Sequence, residues 1–320
     1  MEKELPNSEI LLIYEAKMCN PNGDPDAENR PRIDPKTNIN FVSDVRLKRF
    51  FRDYIVEKFG EDYVYVTKIA GESVRADTRV EKLLGTIDEK RIYEVLNKCI
   101  DARLFGATIP IGKGDTEKGA AKSFTGPVQF TWGLSLHRVE LVDSSAITSV
   151  FSGREVAEKY GTMGRDWRVY YSLIGFYGVV SGRRAKGTAM TEDDLKVLDN
   201  LLWKALQIQP TTRSKIGERP HIYLRIEYKD AETVLGDLRR FVKATPKSDV
   251  VRDLKDLDLK FDELADNLKR NSDRISKIYI MTSDELSPVK ELIKDRCCEK
   301  FCTLPHELTD AELNAIVKKA

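Results

Sequence analysis

The order of apolar and amphipathic segments along this 320-residue sequence predicts an α/β fold of the ferredoxin-like, or RRM-like, type. Apolar runs rich in β-branched and aromatic residues predict four main strands, and two amphipathic segments predict two main helices. Their order along the chain is strand, helix, strand, strand, helix, strand. Long polar or glycine-rich stretches between these elements predict insertions in a single sheet-centred unit.

The first strand and helix are predicted near the amino terminus. Residues 9–18 (EILLIYEAKM) are mostly apolar and stop at CNPNGDP, so they predict a buried strand followed by turns. A long polar loop, 19–40, comes next. Ser43 then caps a helix that runs to about Lys58. Its apolar stripe comprises Leu47, Phe50, Phe51, Tyr54 and Ile55.

The middle of the sequence combines insertions with one strand. Residues 61–104 contain a short strand candidate, YVYVTKI, at 63–69, and two short helical patterns. Residues 106–125 are rich in glycine and lysine, and 126–142 (GPVQFTWGLSLHRVELV) predict one long strand. A polar insert begins at residue 144.

The second strand, helix, strand series is the clearest pattern. Residues 168–182 (RVYYSLIGFYGVVSG) predict a buried strand, Thr191 opens a helix with three acidic residues in its first turn, and 221–228 (HIYLRIEY) predict the next strand. The later sequence is charged and more helical, with one further strand at 275–281. We therefore expect two parts. The first, 1–230, carries insertions at about 61–104, 106–125 and 144–168. The second is a carboxy-terminal part, 231–320.

Composition narrows the classes of function. Lys and Arg number 53 and Asp and Glu 52, a net charge of +1, so the chain is not uniformly basic and any nucleic-acid site must be a local surface. No apolar stretch is long enough to cross a bilayer, and the sequence starts without a signal-peptide pattern. Five cysteines fit free thiols in a reducing compartment. We expect a cytoplasmic protein that does not contact a membrane.

Basic residues concentrate in three stretches: 42–52, 150–190 and the loop 211–220 (TTRSKIGERP). In the predicted order all three attach to one sheet and can converge on one groove. Such a groove would bind the phosphates of a single strand, with Trp167 and Arg168 stacking on bases. For any single stretch, a solvated surface paired with acidic residues elsewhere is the favoured interpretation; the three stretches together shift the balance toward a binding groove.

Five short segments carry a family resemblance. CNPNGDPDAENRPRID with FVSDVRLKRFFRDYI, then RLFGA, GPVQFTWGLS and TMGR, occur in this order between residues 19 and 165. Together they resemble the Cas-seven family of the RAMP superfamily, the backbone subunits of type I CRISPR Cascade complexes, and most closely the I-B and I-C branches. The likeness spans roughly residues 9–230.

The resemblance implies an RRM-like palm, a helical side region and a projecting thumb hairpin at about 144–168. Family members line up head to tail along a guide RNA (crRNA), which pairs with target DNA, and they assemble with other Cascade subunits. On this sequence the motif implies an RNA-binding set: Arg46, Lys48, Arg49, Arg52, Thr162, Met163, Gly164 and Arg165, to which the basic stretches add Trp167, Arg168, Arg213 and Lys215. Met163 would act as an apolar wedge beside a displaced base. No cofactor and no chemical step are expected.

Three alternatives stay open. Asp24, Asp26 and Asp34 could hold Mg²⁺ for RNA cleavage, as in type III relatives, although Asp24 and Asp34 each precede proline and fit turns. A general single-strand-binding module on the same fold is the second. The third is a zinc site formed by Cys297, Cys298, Cys302 and His306, whose spacing lacks the usual paired knuckles, so buried thiols are favoured. His137 and His221 have no evident nucleophilic partner, which favours structural roles.

Overall fold

In the computed structural model the described residues are 4–85, 87, 89–111, 120–143, 146–148, 163–297, 302–303 and 307–318. Their strands are β1 Ser8–Cys19, β2 Gly23–Asp24, β3 Arg30–Pro31, β4 Phe41–Val42, β5 Gly106–Pro110, β6 Ala121–Thr125, β7 Val128–Phe130, β8 Gly133–Ser135, β9 Ala146–Thr148, β10 Met163–Arg165, β11 Val169–Val180, β12 Glu218–Tyr228, β13 Lys243–Pro246, β14 Leu257–Lys260, β15 Ile275–Thr282 and β16 Cys302–Thr303. Their α-helices are α1 Asp44–Phe59, α2 Ala76–Leu84, α3 Ile92–Lys98, α4 Ile100–Phe105, α5 Gly182–Thr188, α6 Glu192–Ile208, α7 Asp262–Arg270, α8 Ser287–Cys297 and α9 Asp310–Val317.

The architecture is mixed α/β around one mainly antiparallel sheet. Strands follow the order β16-β15-β12-β1-β11-β8-β4, and β7 also pairs with β11. Only the pair β15 and β16 is parallel among the described strands. The three long central strands, β12, β1 and β11, are buried almost throughout. The sheet therefore provides a stiff frame whose strand ends position the loops.

One face of the sheet is covered by α1 and α6. The side chains of Ile10, Leu12 and Tyr14 alternate onto this face, where they join the apolar faces of both helices in one core cluster. Ser43 caps α1 by accepting from the Arg46 amide at 3.3 Å. Thr191 and Asp194 form a reciprocal capping box at the start of α6.

The other face of the sheet is covered by the carboxy-terminal segment. Leu11 and Ile13 alternate onto it and join a second apolar cluster with residues of α7 and α8. The buried carboxylate of Glu9 fastens this layer, because it accepts from the hydroxyls of Tyr177 and Tyr228 and from the backbone amides of residues 235–236. A third, smaller cluster lies within the helical region that contains α2 and α3.

The segment 63–69 is not a strand, so that expectation was wrong. The Asp101 carboxylate accepts from the backbone amides of Tyr65 and Val66, at 2.6 and 3.2 Å. These amides are the donors that a strand would have used in a ladder. A buried acid from a helix, rather than a neighbouring strand, therefore fixes this segment.

The predicted long strand at 126–142 is interrupted, which corrects a second expectation. Phe130 pairs with Gly178 and Leu134 with Gly175, so three residues of this segment, 131–133, oppose two of β11, 176–177. The extra residue makes a bulge that divides the segment into β7 and β8. Trp132 lies in this bulge and is 46% exposed.

Part of the predicted thumb can be described. Strands β9 and β10 pair antiparallel, with Met163 opposite Thr148. Residues 149–162 and the side chain of Met163 lie outside the described residues, and with them the predicted site residue Thr162.

Among the described residues, no helix is both long and apolar enough to cross a membrane.

Candidate nucleic-acid interface

Four separate segments meet where β1 ends and β11 and β12 begin. The Lys17 amide donates to the Gly217 carbonyl at 2.9 Å, and the Asn20 amide donates to the Ser214 carbonyl at 2.8 Å. Asn22 accepts from the Ser43 amide at 2.8 Å and so joins the polar loop to the start of α1. We call this surface, formed by segments 17–32, 43–49, 164–168 and 211–218, the basic edge. It brings together residues from all three basic stretches of the sequence.

An aromatic ring flanked by two arginines lies at the basic edge. The guanidinium carbons of Arg30 and Arg165 stand 5.1 and 5.8 Å from the ring centroid of Trp167. Arg165 also pairs with Glu28 at 2.5 Å, and both side chains are more than half exposed. The indole nitrogen of Trp167 is buried and has no hydrogen-bond partner among the described residues. Arg30 is exposed and forms no ion pair within the same residues.

Arg168 and Arg213 meet at one carboxylate but differ in exposure. Arg168 donates to Asp166 from Nε at 3.0 Å and from Nη2 at 2.8 Å, and it also donates to the carbonyls of Met18 and Arg213. It therefore acts as a clamp between loops rather than as the free stacking group that the sequence suggested. Arg213 is 3.5 Å from Asp166 and its side chain is 67% exposed, so it is open to an external anion.

The predicted basic surface of α1 needs correction at two positions. Lys48 and Arg52 are each only 8% exposed. Lys48 pairs with Asp44 at 2.9 Å, and Arg52 donates to the buried Asp101 at 2.8 Å. Their cationic groups already have buried or intrahelical partners, so at these two positions α1 presents buried side chains and not the exposed basic surface that the sequence predicts.

The remaining two arginines of α1 keep exposed area. Arg49 pairs with Asp53 on the same helix at 2.5 Å, and its side chain is 44% exposed. Arg46 stacks on Phe50, with 3.9 Å between the guanidinium carbon and the ring centroid, and is 20% exposed. An exposed i,i+4 ion pair is weak and is readily exchanged for another anion, which leaves Arg49 accessible.

Lys215 is positioned by the polar loop. Its ammonium donates to the carbonyls of Asn20 and Pro21, the latter at 3.0 Å. Burial lowers the pKa of Lys215, whereas the negative charge of Glu218 raises it. The two carbonyl acceptors stabilise the ammonium form. Lys215 thus fastens the loop 19–22 to the start of β12 and adds positive potential below the surface.

Two arginines that the sequence reasoning missed, Arg30 and Arg32, complete the basic edge. Arg32 pairs with Asp24 at 3.2 Å, and its guanidinium carbon lies 5.8 Å from the ring centroid of the exposed Trp132. A cleft of about 700 Å³ opens beside Arg30 and Arg32. The available signal was the pair of arginines in NRPRID, which follows two turn motifs and so faces solvent.

Two of the aspartates considered for metal binding, Asp24 and Asp34, shape turns. Asp24 accepts from the Asp26 amide at 3.2 Å, and Asp34 accepts from the Lys36 amide at 3.0 Å and from the Thr37 hydroxyl at 2.6 Å. These hydrogen bonds hold the pKa of Asp34 below its usual range. The turn interpretation of Asp24 and Asp34 is confirmed. Within the described ranges, no three His, Cys, Asp or Glu side chains are grouped for a metal ion.

Both described histidines have structural contacts. His137 accepts at Nε2 from the Leu173 amide at 3.1 Å, and its Nδ1 lies 2.7 Å from the Arg138 carbonyl. Burial lowers the pKa of His137, which keeps its ring neutral. His221 lies 2.8 Å from the Ser283 hydroxyl and 3.2 Å from a Glu15 oxygen. The Glu15 contact joins β12 to β1, and the Ser283 contact joins β12 to the residue that follows β15.

The expected free thiols are confirmed at Cys19 and Cys99, which are buried. Cys297 is also buried, and its thiol contacts the Ala265 carbonyl at 3.6 Å. Of the remaining residues in the possible zinc cluster, Cys298 and His306 lie outside the described residues, and Cys302 is described only in its backbone.

Comparisons with known proteins agree on one family. The model of the family CRISPR-associated protein Cas7 matches residues 6–262. A CRISPR-associated protein Cas7 from Haloferax volcanii is 33% identical over 302 residues, which is 88% of this chain and 88% of that protein. Two solved chains, from a CRISPR RNA-guided surveillance complex and from such a complex in a pre-nicking state, each superpose with a TM-score of 0.52 at 13% identity. They cover 97% of this chain and 98% and 99% of their own lengths, and they show a shared fold.

Proposed function

This chain belongs to the family of CRISPR-associated protein Cas7, and from that premise we propose that it is a guide-RNA-binding backbone subunit of a Cascade surveillance complex. Copies bind head to tail along the crRNA and present it for pairing with target DNA, together with other Cascade subunits. The role involves no chemical step. The observation that carries the proposal is the basic edge, where residues of three basic stretches far apart in sequence meet: Arg46 lies near Glu218, Arg213 lies near Asp166, and Arg165 flanks Trp167. Free thiols at Cys19 and Cys99 favour a cytoplasmic location.

The proposed RNA contacts follow exposure and charge. Arg30, Arg49, Arg165 and Arg213 supply exposed guanidinium groups for phosphates, and Trp167 supplies a flat ring. Gly164 and Met163 on β10, with Thr162 beside it, keep their proposed place in the thumb. Such contacts act on the sugar-phosphate backbone and on base faces, so binding is largely independent of base sequence.

The proposed fold is ferredoxin-like, with residues 1–230 as a palm carrying insertions and 231–320 as a segment packed on it. Support comes from the sheet order β12-β1-β11-β8, in which the fourth, first, third and second main strands are neighbours. The two helices that connect them, α1 and α6, lie on one face, as the strand, helix, strand, strand, helix, strand order requires. The pairing of β9 with β10 supports a thumb hairpin.

The proposed assembly is an open filament. A head-to-tail interface that does not close generates such a filament, and the balanced charge of 53 basic and 52 acidic residues suits contacts between unlike surfaces of successive copies. Electron microscopy with mass measurement of the purified protein tests this part. Arc-shaped or helical oligomers that carry RNA of discrete length support the proposal, whereas an RNA-free monomer that does not assemble on added RNA contradicts it.

RNA binding at the basic edge is tested with Arg213→Ala. We expect weaker binding of unstructured RNAs of any sequence, and a slope of log affinity against log salt that is smaller by about 0.7, because one phosphate contact is lost. The control is Arg296→Ala, since Arg296 is a partly exposed arginine on α8, outside the basic edge, that pairs with Asp262 and Asp266. Equal effects of the two substitutions would contradict the placement of the RNA.

A further inference from the structure

A buried carboxyl group lies beneath the basic edge. Glu218 is the first residue of β12 and its side chain is fully buried. Gly217 before it has a φ of 115°, and a Cβ there would overlap the Lys17 carbonyl oxygen. The loop is therefore pressed against the end of β1, which leaves the Glu218 side chain enclosed. Neither of its carboxyl oxygens has a hydrogen-bond partner among the described residues.

The groups around Glu218 come from three elements. Arg46 of α1 lies close, with 3.9 Å between its Nη2 and a Glu218 oxygen. The charge of this carboxyl also interacts with Tyr14 and Cys19 of β1 and with Lys215 of the preceding loop. The Arg46 Nε and the Tyr14 hydroxyl are buried and have no partner within the described residues. One acid thus stands between two cations that belong to the basic edge.

This environment disfavours the ionised acid. A buried carboxylate without hydrogen bonds loses its hydration, and 3.9 Å to Arg46 is too long for a direct hydrogen bond to replace it. Burial raises the pKa of Glu218 to about 7, against the opposing effect of Lys215 and Arg46. Burial lowers the pKa of Lys215 to about 8, so its ammonium form, which its two carbonyl acceptors bind, prevails at neutral pH. Glu218 is therefore the first member of this group to change charge as the pH passes through neutrality.

We propose that Glu218 is an internal counter-charge of the basic edge, which competes with RNA phosphates for Arg46 and Lys215 and takes up a proton from solvent when RNA binds. This inference rests on the proposed function. An RNA phosphate near Arg46 adds negative potential, which favours the neutral carboxyl. By linkage, protonation of Glu218 then favours bound RNA to the same extent. Affinity for RNA therefore rises as pH falls.

The first experiment uses the wild-type protein. Titration calorimetry with an unstructured RNA is carried out at about pH 7.5, close to the pKa of the Glu218 carboxyl, in two buffers of different ionisation enthalpy. We expect the difference in binding enthalpy to report uptake of a fraction of a proton per subunit. Binding without proton uptake overturns the inference and leaves the proposed function standing.

The second experiment compares two charge-neutralising variants. Between about pH 6 and about pH 7.5, where Lys215 is still mostly charged, we expect wild-type affinity to fall about fivefold, because one linked proton changes affinity by at most tenfold per pH unit. Glu218→Gln, which keeps the shape of the side chain, removes most of this fall and binds more tightly than wild type at the alkaline end. The control is Glu285→Gln, since the exposed Glu285 pairs with the adjacent Arg219 and hydrogen bonds hold its pKa low.

The outcomes separate the two claims. A pH dependence that is unchanged in Glu218→Gln, or that is removed equally in Glu285→Gln, overturns the role of Glu218 only. Absence of RNA binding by the wild-type protein at every pH overturns the proposed function and this inference together.

Discussion

Replacing Arg52 by alanine separates a structural arginine from an RNA-binding one on the same helix. The Arg52 side chain is 10% exposed, and its Nε donates at 2.8 Å to the fully buried Asp101. The substitution leaves the Asp101 carboxylate without its counter-charge. Asp101 retains two backbone donors, the amides of Tyr65 and Val66. The change therefore weakens the junction between α1, α4 and the segment 63–69.

The expected loss in the free energy of unfolding is about 3 kcal/mol. Removing one partner of a buried ion pair costs about 3–5 kcal/mol, because the remaining charge stays buried. The two amides that still donate to Asp101 place the value near the lower limit. Loss of the Arg52 stem, whose guanidinium lies 5.6 Å from the Phe105 ring centroid, adds a small packing term.

Urea denaturation followed by circular dichroism measures this loss, and RNA affinity is measured on the folded variant. Arg49→Ala is the matched control one turn earlier on α1. Its exposed ion pair with Asp53 contributes only about 0.3–0.5 kcal/mol, but its loss weakens RNA binding. The reasoning is refuted if Arg52→Ala unfolds with the wild-type free energy, or if it weakens RNA binding as much as Arg49→Ala while folded.

Two further predictions concern the loops of the basic edge. Gly217→Ala lowers the free energy of unfolding by about 2 kcal/mol or more in urea denaturation, because the positive φ and the close Lys17 carbonyl exclude a side chain; wild-type stability would show that the loop relaxes freely. When labelled RNA is incubated with Mg²⁺ and analysed on a gel, we expect it to stay intact with both the wild type and Asp24→Asn, since Asp24 is engaged by Arg32 and the Asp26 amide. Cleavage by the wild type that disappears in the variant would establish the RNase alternative.

Regular hydrophobic patterns predicted most of the central fold. The runs that gave β1, β11, β12 and β15 alternate between two buried faces, and local polar residues marked the start of α1 and of α6. Such features depend on neighbours along the chain. The bulge at Trp132 could not be predicted in this way, because it arises from a mismatch in residue number between two strands.

Only part of the candidate site could be predicted, because some of its features depend on the order of elements and others on contacts between residues far apart in the sequence. The convergence of α1 with the loop 211–218 followed from the order of elements, and Arg213 is exposed there as expected. The burial of Arg52 depends on Asp101, which is 49 residues away in sequence and comes into contact only in the folded chain. A helical pattern shows which side chains share a face, but it does not identify the element that covers that face.

The second apolar cluster changes where a nucleic acid can bind. Domains of the RRM type stack bases on the open face of their sheet. In this chain that face is occupied by α7, α8 and their neighbours, and Glu9 fastens the covering layer through two tyrosine hydroxyls and two amides. Among the described residues the carboxy-terminal segment thus acts as an intramolecular ligand of the sheet face, so the RNA that we propose to bind here would meet the ends of the strands rather than this face.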